Sequence, residues 1–130
     1  MTATPFVYRE TVRFRDLDAL GHVNNAVFLT YMESARTAFL VASGLATGLE
    51  DLRVIVARVE ADFRSPAGWG ETIEVAVRPG KIGTKSFELE YELRANDRVV
   101  ADGRSVQVAY DYETEETITV PQEWRKLLSP

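Results

Sequence analysis

Between Arg13 and Phe28 the chain reads RFRDLDALGHVNNAVF, which sets Asp16, Asp18, Gly21, the only histidine (His22), Asn24 and Asn25 within ten residues. Carboxylates so placed could bind a hard cation, take a proton or attack an electrophile. An imidazole could move a proton, while Asp, Gly and Asn together also make an ordinary turn. A calcium loop of the EF-hand type needs oxygen ligands at its first, third and fifth positions and a bidentate Glu at its twelfth. Counted from Asp16, the fifth is Leu20 and the twelfth Val27, which removes that reading. A zinc site would have one histidine and no cysteine to draw on, an unusual set for that metal. No metal is therefore expected. Acyl transfer remains, because the cluster leads into the start of a helix. Unpaired N–H groups and the positive end of the helix dipole meet a developing oxyanion there, and a neighbouring carboxylate supplies a base or nucleophile.

The elements that must hold these residues can be read on either side. Upstream, Phe6 to Arg15 has the mixed alternation of a strand, with Tyr8, Val12 and Phe14 in one phase and Arg9, Thr11 and Arg13 in the other. Downstream, NNAVFLTYMESARTAFLVASG has a helical period, with Asn24 or Asn25 to cap its start and Gly44 to end it. Phe28, Tyr31, Met32, Ala35, Phe39 and Ala42 form its apolar stripe. Leu29 and Leu40 flank the polar side, so the helix is expected to be covered by a sheet on one side and by a partner subunit on another.

Beyond the helix the period falls to two. RVIVARVEADF, ETIEVAV, SFELEYEL and RVVADGRSVQVAY read as half-buried strands separated by SPAGWG, PGKIGT and AND as turns. In the last strand Val99 and Ala101 are apolar in odd register but Val106, Val108 and Tyr110 in even register, which predicts a β-bulge near Gly103. A short terminal helix is expected from Pro121. GKIGTKS looks like a phosphate loop, but Thr84 stands where a Walker loop needs Gly and the following residues alternate as a strand. The fold class is α+β: one long helix wrapped by a five-stranded, mainly antiparallel sheet, in a single domain spanning 1–130.

Composition narrows the function classes. A net charge of −5 and a pI near 4.9 argue against a general nucleic-acid or anionic-membrane binder. With no cysteine, disulfides and a thiolate nucleophile are excluded. No apolar run is long enough for a membrane span and the N-terminus lacks a signal pattern, so a cytoplasmic location is expected.

The motif D-L-D-x-x-G-H-V-N-N, followed by YMESAR, resembles the hotdog-fold acyl-CoA thioesterases of the 4-hydroxybenzoyl-CoA thioesterase family. The similarity extends through ADFRSPAGWGETIEV, KSF and VPQEW and covers nearly the whole chain. The resemblance implies a hotdog fold and hydrolysis of an acyl-CoA thioester. Asp18 would be the catalytic carboxylate, acting as nucleophile or general base. The N–H of Asn25 would polarise the thioester carbonyl, and Asp16 would be scaffolding. In related plant acyl-carrier-protein thioesterases the same histidine works with the Asp and an intervening Asn. Here Leu20 takes the place of that Asn, so His22 is carried over as an orienting group or proton donor, with a structural histidine as the other reading.

Another branch of hotdog thioesterases uses a helix carboxylate about two turns in, which Glu33 matches; the alternative for Glu33 is an ion pair with Arg36 or Arg9. Family members hold the CoA phosphates on the loop and strand corresponding to KIGTKS, which implies Lys81, Lys85 and Ser86, with Arg58 and Arg64 as weaker candidates. No bound cofactor is expected, since CoA is part of the substrate. The family's active site lies at a dimer interface, so a homodimer or homotetramer is expected. A non-hydrolytic acyl-thioester binder and an enoyl-thioester hydratase are the alternatives.

Overall fold

The computed structural model describes residues 5–129. Strand β1 (Phe6–Thr11) leads into the opening loop, and helix α1 (Asn25–Ala42) follows it. Four long strands come next: β2 (Val54–Phe63), β3 (Thr72–Ile82), β4 (Ser86–Ala95) and β5 (Arg98–Asp111). A two-residue strand β6 (Glu116–Thr117) and helix α2 (Gln122–Leu128) complete the chain. The sheet runs β1-β3-β4-β5-β2 with every pairing antiparallel, and β6 adds to β5. It is thus the expected antiparallel sheet curled round a helix, with six strands instead of five.

The ends of α1 explain its position. The Asn24 side chain accepts the Ala26 N–H at 2.9 Å and so caps the first turn. At the other end the Leu45 and Gly44 amides return to the Leu40 and Val41 carbonyls, with Gly44 at φ +88°. That paired return through a left-handed residue stops the helix sharply.

The core forms where α1 meets the inner face of β3, β4 and β5. Met32, Ala35 and Leu40 on the helix and Ile73, Val75, Phe87, Leu89 and Leu93 on the sheet are all fully buried. Helix α2 closes the β3–β4 hairpin end, where the Trp124 ring meets Phe87 edge-on at 6.2 Å. Leu40, expected beside the polar side of α1, is therefore core, while Leu29 stays 39% exposed. Ala42, placed in the apolar stripe, is exposed.

Two strand expectations are corrected. In β2 only Val54 is buried; Ile55, Val56, Val59 and Phe63 lie open, because β2 is the outer strand of the sheet and pairs only with β5. In β5 the phase does not change at Gly103. The irregularity falls earlier, where Leu93 faces Ala101 but Arg94 faces Val99, leaving Val100 as the bulged residue. Beyond it Ala101, Ser105, Gln107 and Ala109 all point inward, and Val106, Val108 and Tyr110 lie half-buried on the other face. A Cβ at Gly103 would run into the Glu60 carbonyl and the Met32 methyl, so glycine serves close packing there and not a phase switch. The hairpin after β3 is also tighter than PGKIGT suggested: Pro79 to Ile82 belong to β3, with a register shift, and the turn lies at Gly83–Lys85.

Candidate active site

The loop between β1 and α1 is held by two different sets of bonds. Its first half turns through a short 3-10 segment at Phe14–Asp16. There the Asp16 carboxylate is buried and accepts the Arg13 N–H at 2.9 Å and the Tyr31 hydroxyl at 2.7 Å, with the Arg13 guanidinium at 3.6 Å. Burial by itself would raise the Asp16 pKa. The Arg13 amide, the Tyr31 hydroxyl and the Arg13 charge outweigh it and hold the carboxyl below the usual carboxylate range. Tyr31 is pushed the other way, first by burial and then by the Asp16 carboxylate, so its hydroxyl remains a proton donor. Asp16 thereby ties the loop to α1.

The second half folds back on itself. Leu17 and Val23 form an antiparallel bridge, the Asp18 N–H donates to the His22 carbonyl at 2.7 Å, and Gly21 adopts φ +82° to make the reversal. One oxygen of Asp18, Oδ1, accepts the backbone N–H of Leu20 at 2.8 Å and of His22 at 3.2 Å. The other, Oδ2, makes no hydrogen bond within the described residues, nor does the His22 imidazole. Asp18 is exposed, and its carboxylate is held in position by the main chain while one oxygen stays free.

The start of α1 faces the same space. Ala26 and Val27 give their N–H groups to Asn24, whereas the Asn25 N–H has no acceptor among the described residues. Asp18, His22, Val23, Asn25, Phe28 and Phe63 line a cleft of about 300 Å³, closed on its far wall by Arg64, Ser65 and Pro66. A fixed carboxylate, an unpaired amide at the positive end of a helix and an apolar floor are the parts that acyl transfer needs.

Of the residues singled out in the sequence, Asp18, His22 and Asn25 meet in this cleft, and Arg64 stands on its far wall. Glu33 does not: it lies about 12 Å further along α1 by helical rise, with its carboxylate 4.0 Å from the Arg36 guanidinium, while Arg9 pairs with Glu74 instead. Lys81, Lys85 and Ser86 sit at the β3–β4 hairpin, where Lys85 reaches the Thr117 hydroxyl at 3.5 Å. That hairpin is at the opposite end of the sheet, since β4 runs from Ser86 to Ala95 and its Ala95 end lies beside the cleft wall. At strand rise the separation is roughly 30 Å. Arg58 lies midway along β2, paired with Glu60 at 3.3 Å, and Arg64 is held by Asp102 at 3.0 Å.

The sequence left three features unmarked. Phe63, Ser65 and Pro66 wall the cleft beside Arg64, which no local pattern announces. Phe14 and Trp69, 71% and 69% exposed, meet edge-on at 5.7 Å beside the loop. Arg36 is buried. Among the described residues no group of His, Asp and Glu side chains is set to hold a metal ion, and no helix is long and apolar enough to cross a membrane.

Comparison with known proteins gives the family. The chain is 38% identical to a thioesterase from Thermus thermophilus solved in complex with coenzyme A and zinc. The superposition covers 98% of this chain and 94% of that one with a TM-score of 0.88. It is 26% identical to a predicted thioesterase from Bacillus stearothermophilus, with a TM-score of 0.87 over 95% of this chain and 92% of that one. A 1,4-dihydroxy-2-naphthoyl-CoA hydrolase from Nostoc punctiforme is 31% identical over 91% of this chain and 82% of its own length. The model describing the thioesterase-like superfamily matches residues 12–128, and the chain belongs to that superfamily.

Proposed function

We propose that the protein hydrolyses an acyl-CoA thioester to a free carboxylic acid and CoA, with Asp18 as the reacting carboxylate and the Asn25 N–H as an oxyanion donor. The observation that carries this reading is the free oxygen of Asp18 in one cleft with the unpaired amide at the start of α1, in a chain of the thioesterase-like superfamily. The carbonyl oxygen of the thioester accepts from Asn25 and gains negative charge as the carbonyl carbon is attacked. Either the Asp18 oxygen attacks directly, expelling the CoA thiolate and leaving a mixed anhydride that water opens, or Asp18 takes a proton from a water that attacks in its place. In both routes the C–S bond breaks and the thiolate regains a proton. No bound cofactor enters either route.

A second copy completes the site in this proposal. The outer edge of β2 has no strand beside it among the described residues and carries Ile55, Val56, Val59 and Phe63 in the open, an edge that natural sheets normally cover. Pairing of two β2 edges about a two-fold axis sets them antiparallel. The hairpin with Lys81, Lys85 and Ser86, remote from Asp18 within one chain, is thereby carried toward the cleft of the other copy, where its charges meet the CoA phosphates. The family's interfacial site and a homodimer follow from that arrangement; a homotetramer requires a second, separate pairing of such dimers.

The test is thiol release from a panel of aryl and aliphatic acyl-CoAs by wild type and Asp18→Asn, read beside gel filtration. Turnover that persists unchanged in Asp18→Asn removes Asp18 from the mechanism. A monomer that is fully active removes the shared site. An acyl group found on the Asp18 peptide after rapid quenching marks direct attack.

A further inference from the structure

Helix α1 and strand β2 lie side by side in opposite directions, with Phe28 and Phe63 in contact at one end, 5.9 Å between ring centres. Beyond that contact, along the groove between them, lies a space of about 280 Å³ lined by Leu29, Thr30, Glu33, Arg36, Val56 and Val59. The groove then opens into one of about 920 Å³ toward Leu40 and Val54. The larger space is mainly apolar and the smaller one mixed, and Arg36 borders both.

Arg36 is an unusual residue to find there. It is only 8% exposed, and a buried cation is costly unless a charge and hydrogen bonds compensate it. Its Nη1 donates to the Tyr91 hydroxyl at 3.3 Å. Ser105 gives its proton to the Gln107 side-chain oxygen, so the 2.5 Å contact between Tyr91 and Ser105 has Tyr91 as donor. Gln107 in turn donates to the Phe87 carbonyl at 3.1 Å. Tyr91 and Ser105 each pass a proton onward, away from Arg36, and every member after the guanidinium is neutral. The network fixes the guanidinium without neutralising it. Among the groups facing the groove, Tyr112 has its proton on the Val54 carbonyl, and the carboxylate paired with Arg36 is Glu33, at 4.0 Å and 70% exposed.

We propose that Arg36 determines substrate specificity by pairing with a negatively charged oxygen at the end of the acyl group remote from the thioester. The inference rests on the thioesterase reading given above. Asn25 and Arg36 are roughly 16 Å apart along the helix axis, and long helical side chains lean toward the N-terminus, which shortens the span the acyl group must cross. A medium-length chain ending in a carboxylate fits that span. So does a hydroxyaryl group that presents a phenolate, the second source of the same chemistry.

The experiment compares kcat/KM for octanedioyl-CoA with octanoyl-CoA, and for a hydroxynaphthoyl-CoA with naphthoyl-CoA, in wild type, Arg36→Met, Arg36→Lys and Tyr91→Phe. The oxygen-bearing member of one pair is expected to be preferred by roughly tenfold to a hundredfold in wild type, and the preferred pair identifies the source. Arg36→Met is expected to abolish that ratio. Tyr91→Phe, which removes the acceptor that orients Nη1, is expected to reduce it, as is Arg36→Lys, which keeps the charge and decides the matter should Arg36→Met not fold. A ratio near one for both pairs in wild type, or the same ratio in all variants, overturns the inference. An altered oligomeric state of the Arg36 variants in ultracentrifugation with an unchanged ratio also overturns it, because the cation would then serve a second copy. Calorimetry with free octanedioate and octanoate separates this inference from the one beneath it. Octanedioate binding that requires Arg36, without cleavage of any thioester, keeps Arg36 as the reader and removes the thioesterase reading.

Discussion

At the start of the β1–α1 loop Asp16 is 4% exposed and bound by Arg13 and Tyr31, whereas two residues later Asp18 lies nearer the surface with one oxygen held by two backbone amides and the other free. The two aspartates share a residue type and a loop, and their partners separate their roles. Asp16 is buried, and Oδ2 gathers a main-chain amide, a tyrosine hydroxyl and a guanidinium, which uses the carboxylate up as structure. Asp18 is exposed and takes backbone donors alone, which orient the carboxylate and leave Oδ2 open to the cleft to react. The contrast predicts that each acid fails in its own way when neutralised.

The largest effect belongs to Asp18→Asn. An amide oxygen still accepts the Leu20 and His22 N–H groups, so the loop and the melting temperature should hold. The anionic oxygen is lost, and kcat/KM for thiol release should fall by roughly 10²–10⁴-fold. A marked fall in melting temperature would mean that Asp18 is scaffolding like its neighbour, and the contrast would collapse.

Asp16→Asn is the converse. It removes the charge that Arg13 and Tyr31 address and should cost about 2 kcal/mol of stability, a drop in Tm on the order of 5–10 °C. The pH dependence has a definite sign. Because the folded Asp16 pKa lies below its unfolded value, its contribution is present above the unfolded pKa and is lost as pH falls through the folded one. The gap in Tm between wild type and Asp16→Asn should be complete at neutral pH and shrink below about pH 4. A gap that widens in acid would contradict the pairing.

A milder change sharpens the same point. Tyr31→Phe removes one of the donors to Asp16 and leaves Arg13 in place, for a cost of about 1 kcal/mol. With that donor gone the folded Asp16 pKa should rise, so acid unfolding should begin at a higher pH than in wild type. An unchanged acid limb would show that Arg13 alone sets the Asp16 charge.

How much of this was legible in the sequence depends on whether the partners of a residue are local. SFELEYEL alternates, and Phe87, Leu89, Tyr91 and Leu93 are buried as that alternation demands, because the helix that covers them belongs to the same chain. RVIVARVEADF alternates as well, yet its apolar residues are open, since nothing within the described residues covers that edge of β2. Periodicity states that a face should be covered but not by what. In β5 the apolar phase pointed to the wrong face, because Ser105 and Gln107 occupy inward positions and extend the hydrogen-bond chain from Tyr91 and Arg36. A pattern of hydrophobicity does not register a buried polar chain. The cleft itself was half legible. Asp18, His22 and Asn25 are close in sequence and carried by a motif, while its wall from Phe63 to Pro66 and the remote hairpin with Lys81 and Lys85 depend on tertiary and quaternary placement.

The smallest expected effect tests whether the free oxygen of Asp18 works alone. His22 contributes its backbone to the site twice: its N–H donates to Asp18 Oδ1 and its carbonyl accepts from the Asp18 amide. Both bonds survive in His22→Ala, which removes only an imidazole that has no hydrogen-bond partner among the described residues. With Leu20 in place of the Asn of the plant enzymes, no third side chain links imidazole to carboxylate. Loss of the ring should therefore lower kcat/KM by less than about tenfold, under ~1.4 kcal/mol of barrier, and leave the pH profile of turnover in shape. A loss beyond roughly a hundredfold, with one limb of the pH profile flattened, would make His22 a proton donor to the leaving thiolate. Asp18 would then have a catalytic partner in the same loop, and the division of labour between the two aspartates would extend to a third residue.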